Sequence, residues 1–145
     1  MRPVAIKYEG SCQCGEVTYQ YEGEFGALGY CHCRVCQKIH GAAYATYFNA
    51  RLEGFQILSG QSSIKAFRSS ENVVRTFCGT CGSNLQFIRN GKERFGLAVA
   101  SLDTNPDNKP EYEIWTAELA PWGCRDDIAV SHQQDRRELL EALKP

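Results

Sequence analysis

The sequence has no uninterrupted apolar run of about 18 residues, the length that a membrane-spanning helix requires. Its first ten residues, MRPVAIKYEG, contain no apolar stretch of signal-peptide length. Charge of one sign is not in excess either, because 16 lysines and arginines face 17 aspartates and glutamates. This balance gives no electrostatic basis for nucleic acid or an anionic membrane as the main partner. We therefore expect a cytoplasmic protein that binds neither membranes nor nucleic acid.

Long helical patterns are scarce as well, and most of the chain has the pattern of short strands. Segments such as GEVTYQYEG and NVVRTFC alternate apolar with polar residues at the period of two that is typical of half-buried strands. Helical spacing occurs in the short RVCQKI and in DRRELLEAL, which carries Leu139, Leu140 and Leu143. We predict one domain over residues 1–145, mainly β, with small stacked antiparallel sheets and short helices.

Cysteine is the residue that the sequence has in excess, with eight in the chain. Their C-x-C and C-x-x-C spacings, and the lack of an export signal, favour shared metal ions over disulfides. Seven fall into three motifs: GSCQCGEV carries Cys12 and Cys14, CHCRVC carries Cys31, Cys33 and Cys36, and FCGTCGS carries Cys78 and Cys81. Cys124 stands alone, and we predict that it is an unliganded thiol.

The spacing allows two ways of dividing these seven thiols between metal ions. Sulfur ligands of a tetrahedral zinc lie about 3.8 Å apart, and a C-x-C segment in an extended strand directs both thiols to one side. The division that keeps every motif whole predicts a closed structural site of Cys12, Cys14, Cys78 and Cys81, and a separate trio of Cys31, Cys33 and Cys36. The other division joins Cys12 and Cys14 to Cys31 and Cys33 and leaves Cys36 with Cys78 and Cys81. It stays open at this point.

Two histidines lie close to the trio in sequence. His32 faces the opposite side from its two cysteine neighbours if the segment is extended, so we expect it to pack or to support the ligands. His40 follows the short helical stretch, and we interpret it as a loop histidine, with a fourth ligand or a proton carrier as the alternative.

The three motifs, in this order and with SLD and APW further on, resemble the glutathione-dependent formaldehyde-activating enzyme family, which also includes centromere protein V. The likeness extends from Gly10 to Trp122. It implies a β-tent fold stabilised by zinc, with a structural ion on the four-cysteine set. It also implies a second, catalytic zinc on the trio, with an open position for a substrate thiol. The implied reaction is that of a carbon–sulfur lyase, the reversible joining of glutathione and formaldehyde.

The chemistry of the trio agrees with that reaction. Three thiolates leave zinc with a net charge of about −1, which suits the ion to binding a fourth thiolate better than to making hydroxide. We therefore predict a zinc-dependent carbon–sulfur lyase in which Cys31, Cys33 and Cys36 are catalytic, with a small thiol and an aldehyde as partners. The alternative is a non-catalytic zinc module that carries glutathione or binds a protein.

Substrate contacts are less well defined by the sequence. Glutathione is anionic, and Arg34 and Lys38 are the basic residues closest to the trio in sequence, although such side chains are by default solvated. Further basic candidates are Lys65, Arg68 and Arg75. Two positions depart from the family pattern: Gln37, where many relatives carry a basic residue, and Glu113, where relatives often have histidine. We expect both to affect the choice of substrate.

Overall fold

The structure is a computed structural model that describes residues 6–24 and 26–123. In this part of the chain it has ten strands, one α-helix and four single-turn 3-10 segments, which confirms that the protein is mainly β. The strands are β1 (Ile6–Ser11), β2 (Thr18–Gly23), β3 (Leu28–Cys31), β4 (Ala45–Arg51), β5 (Phe55–Ser59), β6 (Ile64–Ser70), β7 (Val73–Cys78), β8 (Asn84–Arg89), β9 (Arg94–Ala98) and β10 (Tyr112–Ile114), and the helix is α1 (Arg34–His40). The predicted C-terminal helix and Cys124 lie outside the described residues.

By their internal contacts, the described residues form two compact units. The first contains residues 6–24, 26 and 47–107, and the second contains residues 27–46 and 108–123. The single domain over residues 1–145 stays a prediction. Over residues 6–24 and 26–123, no helix has the length and apolar character that a membrane span needs.

The first unit contains a three-stranded antiparallel sheet in the order β1-β2-β5. Tyr19 and Tyr21 on β2 are fully buried, because residues two apart along a strand face the same side. The ring of Tyr21 packs 5.5 Å from that of Phe48, and the ring of Tyr19 packs 4.9 Å from that of Phe55. The alternation that predicted this strand from GEVTYQYEG therefore reflects one face of aromatic side chains in the core.

The same unit contains a run of antiparallel strands in the order β4-β9-β8-β7-β6. Phe48, Leu85 and Leu97 are fully buried on these strands, and Phe48 lies directly opposite Leu97. Strands β7 and β8 pair in antiparallel register, with Thr76 opposite Gln86. β7 ends at Cys78, and the turn that leads to β8 carries Cys81.

The second unit contains β3 and β10, which pair in parallel, with Tyr112 opposite Gly29 and Ile114 opposite Cys31. This pair differs from the antiparallel sheets that the sequence predicted. Glycine at position 29 makes the pairing possible, because a Cβ there would lie 2.2 Å from the Tyr112 ring. The close approach fixes β10 against the strand that ends at Cys31.

The helix α1 begins one residue after Cys33, whose sulfur accepts a hydrogen bond from the backbone N–H of Cys36 at 3.3 Å. It ends at Gly41, which has a left-handed conformation with φ of 58° and donates to the Gln37 carbonyl group. Glycine is favoured there because a side chain would strain the backbone. The short helix predicted from RVCQKI is therefore present, and its first turn carries the last cysteine of the trio.

Candidate metal centres

The four cysteines of the predicted closed site come together in the first unit. Their sulfur atoms all lie within 4.8 Å of one another, and the members are Cys12, Cys14, Cys78 and Cys81. Two of the separations, 3.5 Å from Cys12 to Cys14 and 3.8 Å from Cys14 to Cys78, are close to the spacing of about 3.8 Å in tetrahedral zinc sites. We call this group the four-cysteine cluster; its four sulfur donors fit zinc.

Two tight turns bring the sulfurs of this cluster together. After β1, Gly15 has a φ of 81° and its N–H donates to the Cys12 carbonyl group at 3.1 Å. After β7, Gly82 has a φ of 82° and its N–H donates to the Cys78 carbonyl group at 2.8 Å. Both conformations favour glycine, since side chains are strained at positive φ. The backbone N–H of Val17 also donates to the Cys12 sulfur at 3.2 Å, as expected for a ligand that carries negative charge.

Gly79 has a different role from the one that its place in FCGTCGS suggests. It does not have the positive φ that such turns often need. A Cβ at this position would instead lie 2.6 Å from the Lys65 side chain, and the Gly79 N–H donates to the Ser63 carbonyl group at 2.7 Å. The glycine therefore packs closely against β6 and the residue that precedes it.

The thiols of the cluster differ in pKa because they have different hydrogen-bond donors and lie close to one another. The Ser83 hydroxyl, with backbone donors, lowers the pKa of Cys81 to about 5. At Cys14 the N–H of Glu16 lowers the pKa, but desolvation and the neighbouring thiols outweigh it and raise the pKa to about 12. Because close thiolates repel one another, some of the thiols keep their protons unless a bound cation neutralises the negative charge. The cluster is therefore built for a divalent metal rather than for four free thiols.

Glu16 connects the two halves of the four-cysteine cluster, a role that the sequence did not indicate. Its carboxylate accepts hydrogen bonds from the Ser63 hydroxyl at 2.7 Å and from the Thr80 hydroxyl at 2.8 Å. These hydroxyls hold the pKa of Glu16 below its usual value, Ser63 having the larger effect. Glu16 follows the first cysteine pair and Thr80 lies inside the second, so the carboxylate fixes one pair relative to the other.

Replacing Glu16 by alanine is expected to speed the loss of zinc from the four-cysteine cluster by about tenfold, the size of effect seen when residues that support metal ligands are changed. The measurement is the rate of zinc transfer to a chromophoric chelator. Glu22→Ala, which removes an exposed carboxylate from β2, is the control. Equal release rates in the two variants would contradict the role of Glu16.

The other three cysteines come together in the second unit. The sulfur atoms of Cys31, Cys33 and Cys36 all lie within 4.8 Å of one another. Within residues 6–24 and 26–123, no fourth cysteine, histidine or carboxylate joins this group, so His40 is not grouped with it. The structure thus groups the seven sulfurs as the division into whole motifs predicted. We call this group the trio.

The three thiols of the trio differ in their access to solvent. Cys31 and Cys36 are buried, with exposures of 8% and 1%, whereas Cys33 is half-buried. The neighbouring thiols Cys33 and Cys36, and then burial, raise the pKa of Cys31. The sulfurs therefore tolerate little negative charge without a cation, and three sulfur donors fit zinc with one position left. Solvent reaches the group on the side of Cys33.

His32 is not grouped with the trio sulfurs among the described residues, and its ring packs in the second unit. It is buried, and its Nε2 lies 3.0 Å from Oε2 of Glu113, which is also buried. Because a carboxylate only accepts hydrogen bonds, Nε2 carries the proton and donates. The ring of Tyr44 lies 5.3 Å from the His32 ring. The structure therefore agrees with a supporting position for His32 beside the ligands.

Gln37 is buried beside the trio and makes hydrogen bonds with both ends of its amide group. Its Nε2 donates to the carbonyl groups of His32 at 2.6 Å and Glu118 at 2.8 Å, and its Oε1 accepts from the Arg34 guanidinium group. Gln37 and Glu113, the two positions that depart from the family pattern, therefore both contact His32. The contact with Glu113 is not visible in the sequence, since Glu113 is 81 residues from His32.

The other candidate residues are divided between the two units. Arg34 and Lys38 are exposed on α1, in the same unit as the trio. Lys65 and Arg68 are exposed on β6 in the first unit. Arg75 is buried there, where it donates to the hydroxyls of Ser69 and Tyr47 and lies 4.8 Å from the centre of the Phe87 ring. These buried contacts favour a role for Arg75 in packing rather than in binding glutathione.

Comparison with known proteins agrees with the motifs and the cysteine groups. A sequence model of the family described as glutathione-dependent formaldehyde-activating enzyme matches residues 7–118, which is most of the chain. The crystal structure of a Rhodobacter sphaeroides protein is similar, with 26% sequence identity and a TM-score of 0.57. That match covers 68% of this chain and 91% of the other. The chain belongs to the glutathione-dependent formaldehyde-activating enzyme family.

Proposed function

We propose that the protein is a zinc-dependent carbon–sulfur lyase that joins a thiol, glutathione, reversibly to an aldehyde such as formaldehyde. In the forward reaction the thiol loses its proton and its sulfur forms a bond to the aldehyde carbon. The carbonyl electron pair moves to oxygen, which takes up a proton. The product is a hemithioacetal, which for formaldehyde carries a hydroxymethyl group on sulfur. The reverse reaction returns the thiol and the aldehyde.

The observation that carries this proposal is the difference in ligand number between the two cysteine groups. The four-cysteine cluster supplies a complete tetrahedral set, whereas the trio supplies three sulfurs within the described residues. A structural zinc site is closed, while a catalytic site keeps a position for water or substrate. We therefore assign a structural zinc to Cys12, Cys14, Cys78 and Cys81, and a catalytic zinc to Cys31, Cys33 and Cys36.

Zinc bound by three thiolates supplies a position for a fourth, exchangeable thiolate and lowers the pKa of that thiol. The half-buried Cys33 marks the side from which a substrate thiol arrives, while the buried Cys31 and Cys36 exclude water behind it. Arg34, the next residue after Cys33, is exposed and shares one guanidinium N–H with Gln37. A guanidinium group has five N–H donors, so Arg34 can also bind a glutathione carboxylate.

The test is the exchange rate between formaldehyde, glutathione and their adduct at equilibrium, measured by NMR exchange spectroscopy with the zinc-loaded protein. Uncatalysed exchange is appreciable, so the rate is compared with that of the same mixture without protein. We expect faster exchange with glutathione and a smaller increase with 2-mercaptoethanol, which has no carboxylate for Arg34. If the protein binds glutathione without changing the exchange rate, the non-catalytic carrier replaces the lyase.

A further inference from the structure

His32 is held at three points by residues of the second unit. Its backbone N–H donates to the Ile114 carbonyl group at 3.0 Å. Its backbone carbonyl group accepts from Gln37 Nε2 at 2.6 Å, and its ring donates to Glu113 at 3.0 Å. These contacts come from α1 and from β10, so one helix and one strand both bind the same residue. We call Gln37, Glu113 and their contacts the His32 lock.

The hydrogen bonds of the lock are buried, where such bonds restrict side-chain conformation most strongly. His32 and Glu113 are each 1% exposed, and Gln37 is 4% exposed. Water cannot readily replace a lost partner at such sites, so an unmade hydrogen bond has its full cost. The ring of Tyr44, whose centre lies 4.2 Å from that of Tyr30, also packs 5.3 Å from the His32 ring. The buried contacts therefore hold one conformation of this segment.

We propose that Gln37 and Glu113 are positioning residues that fix the trio through His32. His32 is the residue between Cys31 and Cys33, so holding its N–H, its carbonyl group and its ring sets the backbone angles that separate these two sulfurs. Gln37 is also the neighbour of Cys36, so its amide links the third sulfur to the same lock. Ligands that are held in place before the metal arrives bind it more tightly and release it more slowly.

The inference rests on the proposed function only in assigning a metal to the trio. It adds that this chain retains that metal through two side chains which are not ligands. Gln37 has a second task that must be separated from the first, because its Oε1 also orients Arg34. Gln37→Glu separates them, since a carboxylate still accepts from Arg34 but cannot donate to the carbonyl groups of His32 and Glu118.

The test measures zinc transfer from the zinc-loaded protein to a chromophoric chelator. We expect two phases in the unmodified protein, the faster from the trio, which is identified by its disappearance in Cys33→Ser. Gln37→Glu and Glu113→Leu should accelerate this faster phase by about 10- to 100-fold and leave the slower phase unchanged. Glu113→Gln, which keeps an oxygen acceptor for the His32 ring, should release zinc near the unmodified rate.

Two controls separate positioning from general loss of stability. Tyr19→Phe removes a buried hydroxyl that is hydrogen-bonded to Ser101 in the first unit, and it should not change the faster phase. Lys38→Met removes an exposed cation from α1 that has no part in the lock, and it should also leave the faster phase unchanged. If Glu113→Leu does not fold, as judged by circular dichroism, the comparison of Gln37→Glu with Glu113→Gln carries the test.

The outcomes distinguish the lock from the proposed function. If the faster phase is the same in Gln37→Glu as in the unmodified protein, the lock is wrong, whatever the activity. If the unmodified protein binds two zinc ions and the variants release one of them faster, but adduct exchange is not accelerated, the lock stands and the lyase is wrong. A single zinc ion per unmodified chain would overturn both.

Discussion

Cys78→Ser is expected to abolish cooperative thermal unfolding and to leave a chain that does not retain zinc in the four-cysteine cluster. Cys78 is fully buried at the end of β7, and its sulfur lies 3.8 Å from that of Cys14, which is 64 residues away in sequence. A structural zinc site contributes about 10–16 kcal/mol to folding in small zinc domains. The total stability of a domain is about 5–15 kcal/mol, so losing this site removes most or all of it.

The measurement is the zinc content per chain together with the unfolding transition followed by circular dichroism. The matched control is Cys33→Ser, the same chemical change in the trio, which should lose zinc but keep the transition. Removing zinc with a strong chelator should reproduce the Cys78→Ser result in the unmodified protein. A Cys78→Ser variant that unfolds cooperatively at an unchanged temperature would show that the cluster is not structural.

The metal groups could be predicted because their geometry is mostly local in sequence. Each pair is brought together by a tight turn, one after β1 and one after β7, with glycines at 15 and 82 where the backbone needs a positive φ. The C-x-C pair therefore does not lie in an extended strand as the sequence predicted, since Cys12 and Cys14 follow the end of β1. The strands follow from equally local patterns, such as the buried pair Tyr19 and Tyr21. Joining distant pairs into one cluster needed only the assumption that each site uses whole motifs.

The contacts that support these groups were not predictable, because they join residues that are distant in sequence and have no pattern of their own. Glu16 meets Ser63 and Thr80 only after β6 and β7 are placed. His32 meets Glu113 only because β10 pairs in parallel with β3, a pairing that depends on the absence of a side chain at Gly29. The sequence marked Glu113 as unusual, but tertiary packing alone makes it a partner of His32.

A substitution in the trio is expected to change catalysis rather than folding. Cys33→Ser is expected to remove the zinc of the trio and to lower the protein-catalysed exchange of the glutathione–formaldehyde adduct by about 100-fold or more, since metal stabilisation of charge is worth several kcal/mol. The helix should survive the change. Cys33 occupies the N-cap of α1, where its sulfur accepts from the Cys36 N–H, and serine is among the residues preferred at this position.

This substitution therefore separates chemistry from folding more cleanly than a change at the buried Cys31 or Cys36. We expect the midpoint of thermal unfolding to shift by no more than about 4 °C, the effect of about 1 kcal/mol in a domain of this size. Cys124→Ser, at the cysteine that belongs to none of the motifs, should retain both zinc ions and full exchange activity. Full activity in Cys33→Ser would rule out the trio as the catalytic site, and loss of one zinc in Cys124→Ser would make Cys124 the fourth ligand of the trio. In that case the site is closed, and the protein is a zinc module rather than a lyase.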